Sequence, residues 1–257
     1  MYTLGIDIGS TTSKCAVIKD GKELVAHSLQ TGGLGTGGPE EAMAQLWQSC
    51  GLTRQDMACA FVTGYGRKNY EGADGEISEL TAHALGGRFV FPDLRTVIDI
   101  GGQDAKVIAL SPSGKMVNFV MNDKCAAGTG RFLDVMASIL RLDVDALDTE
   151  AAKATAPAAI SSTCTVFAES EVISQLANGV KRPDLVAGIC RSVASRVAAL
   201  ARRAGVTERV CLSGGVAQND AVRQALSDEL NVPVSVDPLA QYFGAIGAAL
   251  WAYKRQV

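Results

Sequence analysis

The chain has 257 residues, of which 47% are hydrophobic and 20% are charged, and its formal net charge is −3. This length and composition are typical of a globular chain with a buried core, so they exclude intrinsic disorder and fibrous architectures. The small negative charge argues against a nucleic-acid partner, and since no apolar run is long enough to cross a bilayer, we expect neither a membrane partner nor a secretion leader. Seven cysteines, an odd number, favour reduced thiols in a cytoplasmic protein.

The first predicted element is an apolar strand that ends in an Asp-x-Gly turn, and this pattern occurs twice. Residues 6–18 match residues 98–110, so that Asp7 corresponds to Asp99 and Lys14 to Lys106. An internal repeat of this kind predicts a duplicated structure. We therefore expect two related α/β halves facing a cleft. The first spans residues 1–95, with a C-terminal helix at 240–257 packing back on it, and the second spans residues 96–239.

Each half is expected to continue as an antiparallel meander followed by helices. The Asp20-Gly21 pair predicts a tight turn with positive φ between two strands, and Ser111 to Gly114 predicts a second turn at the equivalent place. The glycine-rich stretch from Thr31 to Gly38 is interpreted as a mobile loop whose role stays open. Periodic apolar residues predict helices at 39–50, 130–142, 217–230 and 243–250.

The two repeated turns are candidate phosphate-binding loops, because glycines and small hydroxyl residues let backbone N–H groups approach phosphate oxygens. Their residues are Gly9, Ser10, Thr11 and Thr12 in the first copy and Gly101, Gly102 and Gln103 in the second. Asp7 and Asp99 could hold a magnesium ion through its water molecules. Gln103 or Asp104 could orient or deprotonate an attacking water, and the sequence does not decide between them. The alternative for each turn is a plain strand connection, which the second copy disfavours.

Together with the motif Gly214-Gly215-Val-Ala-Gln-Asn219 and a small-residue C-terminal helix, the paired turns resemble the nucleotide motifs of the actin, sugar-kinase and heat-shock-ATPase superfamily. The resemblance implies that fold. It also implies that Gly214, Gly215, Gln218 and Asn219 bind the adenosine of ATP or ADP.

Two cysteines lie among small residues before predicted helices. Cys125 precedes the helix that begins near Gly130, and Cys164 precedes a second apolar helix. A helix N-terminus lowers the pKa of a thiol and favours a bound anion, so both cysteines are candidate iron ligands. An iron–sulfur cluster normally takes four thiolates, which a twofold homodimer would supply. The alternative is two incidental thiols, and for the other five cysteines core packing is favoured.

With these residues, the chain resembles the activator component of 2-hydroxyacyl-CoA dehydratases, within the BadF/BadG/BcrA/BcrD type of ATPase. The motifs that carry the resemblance lie at residues 4–11, 63–67, 97–104, 122–132, 161–174 and 213–219. The resemblance implies a homodimer bridged by one 4Fe-4S cluster, with its ligands falling on Cys125 and Cys164. It further implies that reduced ferredoxin or flavodoxin loads the cluster, and that one electron passes to a separate dehydratase while ATP is hydrolysed.

Two other functions remain open at this point. The same fold could serve an ATP-dependent small-molecule kinase, with Asp104 as the base for a substrate hydroxyl and with structural cysteines. It could also serve a nucleotide sensor that transfers nothing. The sequence does not identify the acyl-CoA on which a partner dehydratase acts, nor the electron donor.

Overall fold

The computed structural model describes residues 1–122, 124–161 and 164–257. Asp123, Ser162 and Thr163, which belong to two of the motif stretches above, lie outside the described residues. The strands are β1 (Tyr2–Ile8), β2 (Thr12–Lys19), β3 (Glu23–Thr31), β4 (Met57–Thr63), β5 (Gly75–Glu76), β6 (Thr96–Ile100), β7 (Ala105–Leu110), β8 (Met116–Asn122), β9 (Val210–Ser213) and β10 (Val234–Ser235). The α-helices are α1 (Gly38–Cys50), α2 (Glu79–Val90), α3 (Gly130–Ile139), α4 (Leu147–Ala151), α5 (Thr165–Ala177), α6 (Arg182–Ala204), α7 (Asp220–Leu230) and α8 (Phe243–Lys254).

The strands form two five-stranded sheets of the same plan. The first sheet has the order β3-β2-β1-β4-β5, and the second has the order β8-β7-β6-β9-β10. In both sheets the first strand of the repeat pairs antiparallel with the next strand and parallel with a later one. The duplication inferred from residues 6–18 and 98–110 therefore extends over all five strands of each half.

The chain divides into two compact units. Unit 1 comprises Met1–Leu94, Leu110–Val117 and Asp237–Val257, and unit 2 comprises Arg95–Ala109 and Asn118–Val236. The core of unit 1 contains the apolar residues of β1 and β2 and buried residues of α1 and α8. The core of unit 2 contains the fully buried β6, β7 and β9 and the apolar face of α6.

The C-terminal helix α8 packs on β1 and α2 of unit 1 through small residues. A Cβ atom at Gly5 of β1 would overlap the Ala245 carbonyl, and one at Gly247 would overlap the Ala82 carbonyl of α2. These glycines weaken the intrinsic helix and strand propensity, but they allow the backbones to approach closely.

Two local predictions can be compared directly with the structure. Asp20 and Gly21 both have positive φ, at 52° and 68°, as the hairpin turn requires. Helix α3 ends at Ile139 rather than at Leu142, because Arg141 adopts a left-handed φ of 54° and the Leu142 N–H donates back to the Ala137 carbonyl. In the part of the chain that the structure describes, no helix combines the length and apolar character needed to cross a membrane.

Candidate functional site

The first Asp-x-Gly turn joins β1 to β2 in unit 1. Asp7 is 3% exposed, and its carboxylate lies 3.4 Å from the ammonium of Lys14, its direct cross-strand neighbour. The Gly9 N–H donates to the Thr12 carbonyl and closes the turn. Ser10 and Thr11 lie at its tip. The turn therefore exposes hydroxyl and backbone groups above a buried ion pair.

The glycine-rich segment borders this first turn. The Gly32 N–H donates to the Thr11 carbonyl at 2.7 Å, and the Ser13 hydroxyl donates to the Gly32 carbonyl at 2.7 Å. A Cβ atom at Gly33 would lie 2.6 Å from the Gly9 carbonyl oxygen. The segment at 31–38 is thus one wall of the candidate phosphate turn.

The second turn joins β6 to β7 in unit 2 and contains a denser charge cluster. Asp99 is 2% exposed and Lys106 is 1% exposed. The Lys106 ammonium lies 3.0 Å from Asp99 Oδ2 and 3.0 Å from Asp104 Oδ2, while Asp99 Oδ1 accepts a hydrogen bond from the Ser213 hydroxyl at 2.8 Å. Gly101 and Gly102 are partly accessible, and Gln103 is exposed. Of the two candidate catalytic side chains, Asp104 is therefore drawn inward and Gln103 faces solvent.

The candidate adenosine motif follows β9 in the same unit. Gly214 has φ 85° and ψ −177°, a conformation that is essentially restricted to glycine. Gly215 and Gln218 are exposed. Asn219 is 8% exposed, and its Oδ1 accepts the Val222 N–H at 2.9 Å, so that it caps α7. The structure thus leaves Gly215 and Gln218 accessible and gives Asn219 a capping role within its own helix.

The buried aspartate of each turn is compatible with magnesium in one binding mode, which is contact through the water molecules of the ion. Carboxylates such as Asp7 and Asp99 belong to the ligand class that Mg²⁺ prefers. Direct coordination would compete with the lysine that each buried carboxylate already contacts. Contact through the ion's water molecules leaves these pairs in place, and Mg²⁺ usually keeps several waters. Each aspartate, taken within its own unit, is therefore compatible with an ion held through water.

The structure brings Cys125 and Cys164 to one cavity of unit 2. The cavity has a volume of about 500 Å³ and is lined by both cysteines together with apolar residues, Asn122, Arg196 and Arg203. Both cysteines are exposed. Two accessible sulfur atoms beside two guanidinium groups form a surface suited to an anionic thiolate-bound group.

Four of the five remaining cysteines are poor metal ligands. Cys15, Cys59, Cys190 and Cys211 are buried, and desolvation raises the pKa of Cys15 and Cys190 to about 12. It also raises the pKa of Cys59 and Cys211. Iron ligation requires the thiolate, and a buried thiol with a raised pKa stays protonated at neutral pH. Accessible thiols on one cavity fit an iron–sulfur cluster, with two of the usual four ligands from one chain.

The two cysteines occupy different local structures. Cys164 is the N-cap residue of α5, and its carbonyl accepts the Ala168 N–H at 2.9 Å. Cys125 lies five residues before Gly130, the first residue of α3, and Thr129 occupies the N-cap position there. Asn122 shapes the Cys125 loop, because its side-chain amide donates to the carbonyls of Cys125 and Ala127. The expectation of a helix N-terminus therefore applies directly to Cys164 only.

Four charged residues of these sites were not predicted as site residues from the sequence: Lys14, Lys106, Arg196 and Arg203. The repeat already aligned Lys14 with Lys106, and the hairpin register places each lysine opposite its aspartate. That alignment was an available signal. The two arginines belong to α6, far from either cysteine in sequence, and no local pattern marks them.

Comparisons with known proteins show what this chain is similar to. The model of the BadF/BadG/BcrA/BcrD ATPase family matches residues 4–252. The (R)-2-hydroxyglutaryl-CoA dehydratase activating ATPase of Acidaminococcus fermentans is 57% identical over 99% of this chain and 98% of its own length. The crystal structure of the Acidaminococcus fermentans (R)-2-hydroxyglutaryl-CoA dehydratase component A is 57% identical, covers 99% of this chain and 98% of its own, and has a TM-score of 0.96.

A second solved structure is the activator of the 2-hydroxyisocaproyl-CoA dehydratase from Clostridium difficile with bound ADPNP. It is 51% identical, covers 99% of this chain and 95% of its own, and has a TM-score of 0.96. A ROK family glucokinase from Streptomyces griseus, 16% identical with a TM-score of 0.59 over 100% of both chains, is similar in fold alone. The predicted actin-like ATPase and sugar-kinase fold is confirmed.

Proposed function

The chain belongs to the BadF/BadG/BcrA/BcrD ATPase family, and from this premise we propose that it is an ATP-hydrolysing activator of a 2-hydroxyacyl-CoA dehydratase. In this proposal the protein is a homodimer, and it donates one electron at a time to the dehydratase. A 4Fe-4S cluster, when bound, supplies the one-electron redox chemistry.

The observation that carries the proposal is the meeting of Cys125 and Cys164 on one cavity of unit 2. These two thiols are accessible, whereas the thiols of Cys15, Cys59, Cys190 and Cys211 are buried. A cubane cluster takes four thiolates. A second copy of the chain, related by a twofold axis, provides the missing pair with the same geometry.

The surface beside this cavity supports a homodimer. Helix α5 begins immediately after Cys164, and four of its apolar side chains are exposed: Val166 at 66%, Phe167 at 68%, Ile173 at 50% and Leu176 at 42%. Met121, which lines the cysteine cavity, is also 38% exposed. Exposed apolar patches of this kind mark interaction sites. We place the subunit contact around the two cysteines.

For the nucleotide, the proposal assigns the phosphates to the turns Gly9–Thr12 and Gly101–Gln103, with magnesium held through water by Asp7 and Asp99. The adenosine is assigned to the Gly214–Asn219 motif. Gln103 is assigned the orientation of the attacking water, because its side chain is exposed while the Asp104 carboxylate contacts the buried Lys106 ammonium.

A short backbone path joins the phosphate turn to the cysteine loop. The N–H groups of Gly130 and Arg131, at the start of α3, donate to the carbonyls of Gly101 and Gly102 at 2.9 and 2.8 Å. Cys125 lies on the loop that leads into this helix. A change at the turn on ATP hydrolysis would therefore act on the Cys125 loop. A shift of about 100 mV in the reduction potential of the cluster corresponds to roughly 2.3 kcal/mol per electron, which is within the typical range of allosteric coupling free energies.

The first test uses protein purified without oxygen. We expect about four iron atoms and four acid-labile sulfides per dimer, a cluster reducible by ferredoxin or flavodoxin, and ATP-dependent activation of a dehydratase. Colourless protein that phosphorylates a small molecule at full rate would contradict the proposal and support the kinase alternative. Metal-free protein with negligible ATP turnover would support a nucleotide sensor.

The second test asks whether the Gln103 side chain orients the attacking water. Gln103→Ala is expected to lower the kcat of ATP hydrolysis roughly 100-fold, the order of loss that misplacement of a reacting group causes, with little change in KM. Gln224→Ala, at an exposed glutamine of α7 in the same unit, is the control. A kcat of Gln103→Ala equal to that of the control would refute the assignment.

A further inference from the structure

Lys106 is an unusual residue for its position, because it is among the largest fully buried side chains and is charged. Its ammonium lies 3.0 Å from a carboxylate oxygen of both Asp99 and Asp104. A buried lysine is costly unless it is paired. Two carboxylates around one ammonium compensate that cost, so these three groups form one charge cluster.

This cluster reaches the phosphate turn through Asp104. The Asp104 carbonyl accepts the Gly101 N–H at 2.9 Å, and a Cβ atom at Gly101 would lie 2.6 Å from Asp104 Oδ1. The Asp104 carboxylate is therefore folded over Gly101 on one side and drawn to Lys106 on the other. Movement of Asp104 would open the turn whose carbonyls also hold the start of α3.

The cluster also reaches the adenosine motif. Asp99 Oδ1 accepts the Ser213 hydroxyl at 2.8 Å, and Ser213 directly precedes Gly214. Asp99 is paired with Lys106 in the antiparallel register and with Ser213 in the parallel register of the same sheet. One buried charge centre thus contacts both candidate nucleotide-binding segments of unit 2.

The equivalent site of the repeat in unit 1 is simpler. Lys14 pairs with Asp7 at 3.4 Å and its side chain is 13% exposed. The residue that corresponds to Asp104 is Thr12, which carries no charge. The second carboxylate is therefore specific to the half that contains Gln103, and this suggests a role beyond the stability of the repeated fold.

We propose that Lys106 is a positioning residue for nucleotide hydrolysis: by holding the Asp104 carboxylate it keeps the Gly101–Asp104 turn closed around the phosphates. This inference rests on the proposed ATPase function. The Lys106 ammonium also offsets one negative charge of this cluster, which reduces the repulsion of a triphosphate. Without the ammonium, Asp104 turns toward the phosphates and repels them.

A double-mutant cycle between Lys106 and Asp104, made in the full-length dimer, tests this inference. The dissociation constant for ADPNP is measured by calorimetry and kcat by phosphate release. Lys106→Met is expected to weaken ADPNP binding at least tenfold in the wild-type background but at most threefold in the Asp104→Asn background, because the interaction runs through Asp104. Lys153→Met, which removes one exposed lysine from the same unit, controls for net charge.

Equal losses in the two backgrounds would mean that Lys106 acts independently of Asp104, and the inference would be wrong. If Lys106→Met does not fold, Asp104→Asn alone decides, since the Asp104 side chain is 27% exposed and the variant is expected to fold. ADPNP affinity and kcat within twofold of wild type in Asp104→Asn would overturn the inference. Failure of the wild-type protein to bind ADPNP would instead refute the proposed function.

Discussion

Replacing either Cys125 or Cys164 with serine is expected to abolish iron binding and to lower activation of the dehydratase by at least roughly 100-fold, because a hydroxyl does not replace a thiolate ligand at neutral pH. Both cysteines line the same cavity, and a twofold dimer contains two copies of each. Each variant therefore removes two of the four ligands, which should be enough to abolish iron binding. ADPNP binding should persist, since the phosphate and adenosine turns contain neither residue.

Iron, acid-labile sulfide and the visible absorption spectrum of each variant measure this outcome. Cys50→Ser is the matched control, because the Cys50 thiol donates to the Leu46 carbonyl of its own helix, and a serine hydroxyl can make the same bond. Cys50→Ser should retain the colour and iron content of the wild type. A Cys125 or Cys164 variant with about four iron atoms per dimer would show that the ligands lie elsewhere.

Replacing Gly214 with alanine is expected to weaken ADPNP binding roughly 100-fold, which corresponds to a loss of about 2.8 kcal/mol of binding free energy. The backbone of Gly214 lies in a region that other residues avoid. A Cβ atom there would overlap the Ile100 carbonyl and lie 3.0 Å from Asp99 Oδ1. The motif must move away from β6, and the adenosine contacts of Gly215 and Gln218 move with it.

Gly179→Ala is the matched control, since Gly179 in the same unit has a φ of 84°, and among the described residues beyond its chain neighbours no atom lies within 4 Å of an added Cβ. The Gly179 variant carries the cost of alanine at a positive φ but not the cost of the steric overlap at Gly214. Calorimetry with ADPNP measures affinity, and thermal unfolding checks that each variant is folded. Equal affinities for the Gly214 and Gly179 variants would contradict the assignment of this motif to adenosine.

Much of the fold could be predicted because its signals are local. Asp20 and Gly21 specify their hairpin turn through the conformations that these two residues accept. The predicted helix at 39–50 corresponds to α1 within one residue. The end of α3 was placed too late, because apolar periodicity continues to Leu142 although the backbone of Arg141 has already left the helix. Helix periodicity does not report the conformation of a single terminal residue.

The candidate site was only partly predictable for a related reason. The repeat identified Asp7 and Asp99 as equivalent, and glycine content marked the turns. The equivalence of Gly64 and Gly214 was not detected, although both have positive φ and each directly follows the strand that pairs parallel with the first strand of its half. The surrounding sequences have diverged, so that only the common sheet order reveals the correspondence.

The sequence by itself determined the duplicated α/β plan and the family, and it marked Cys125 and Cys164 as candidate ligands, because strand periodicity, turn residues and motif spacing are properties of short segments. Only the tertiary structure decided that Asp104 contacts Lys106, that Ser213 contacts Asp99, and that α3 begins on the carbonyls of Gly101 and Gly102. These contacts join residues from separate strands and helices. They depend on sheet register, where a shift of one residue would turn each side chain to the opposite face.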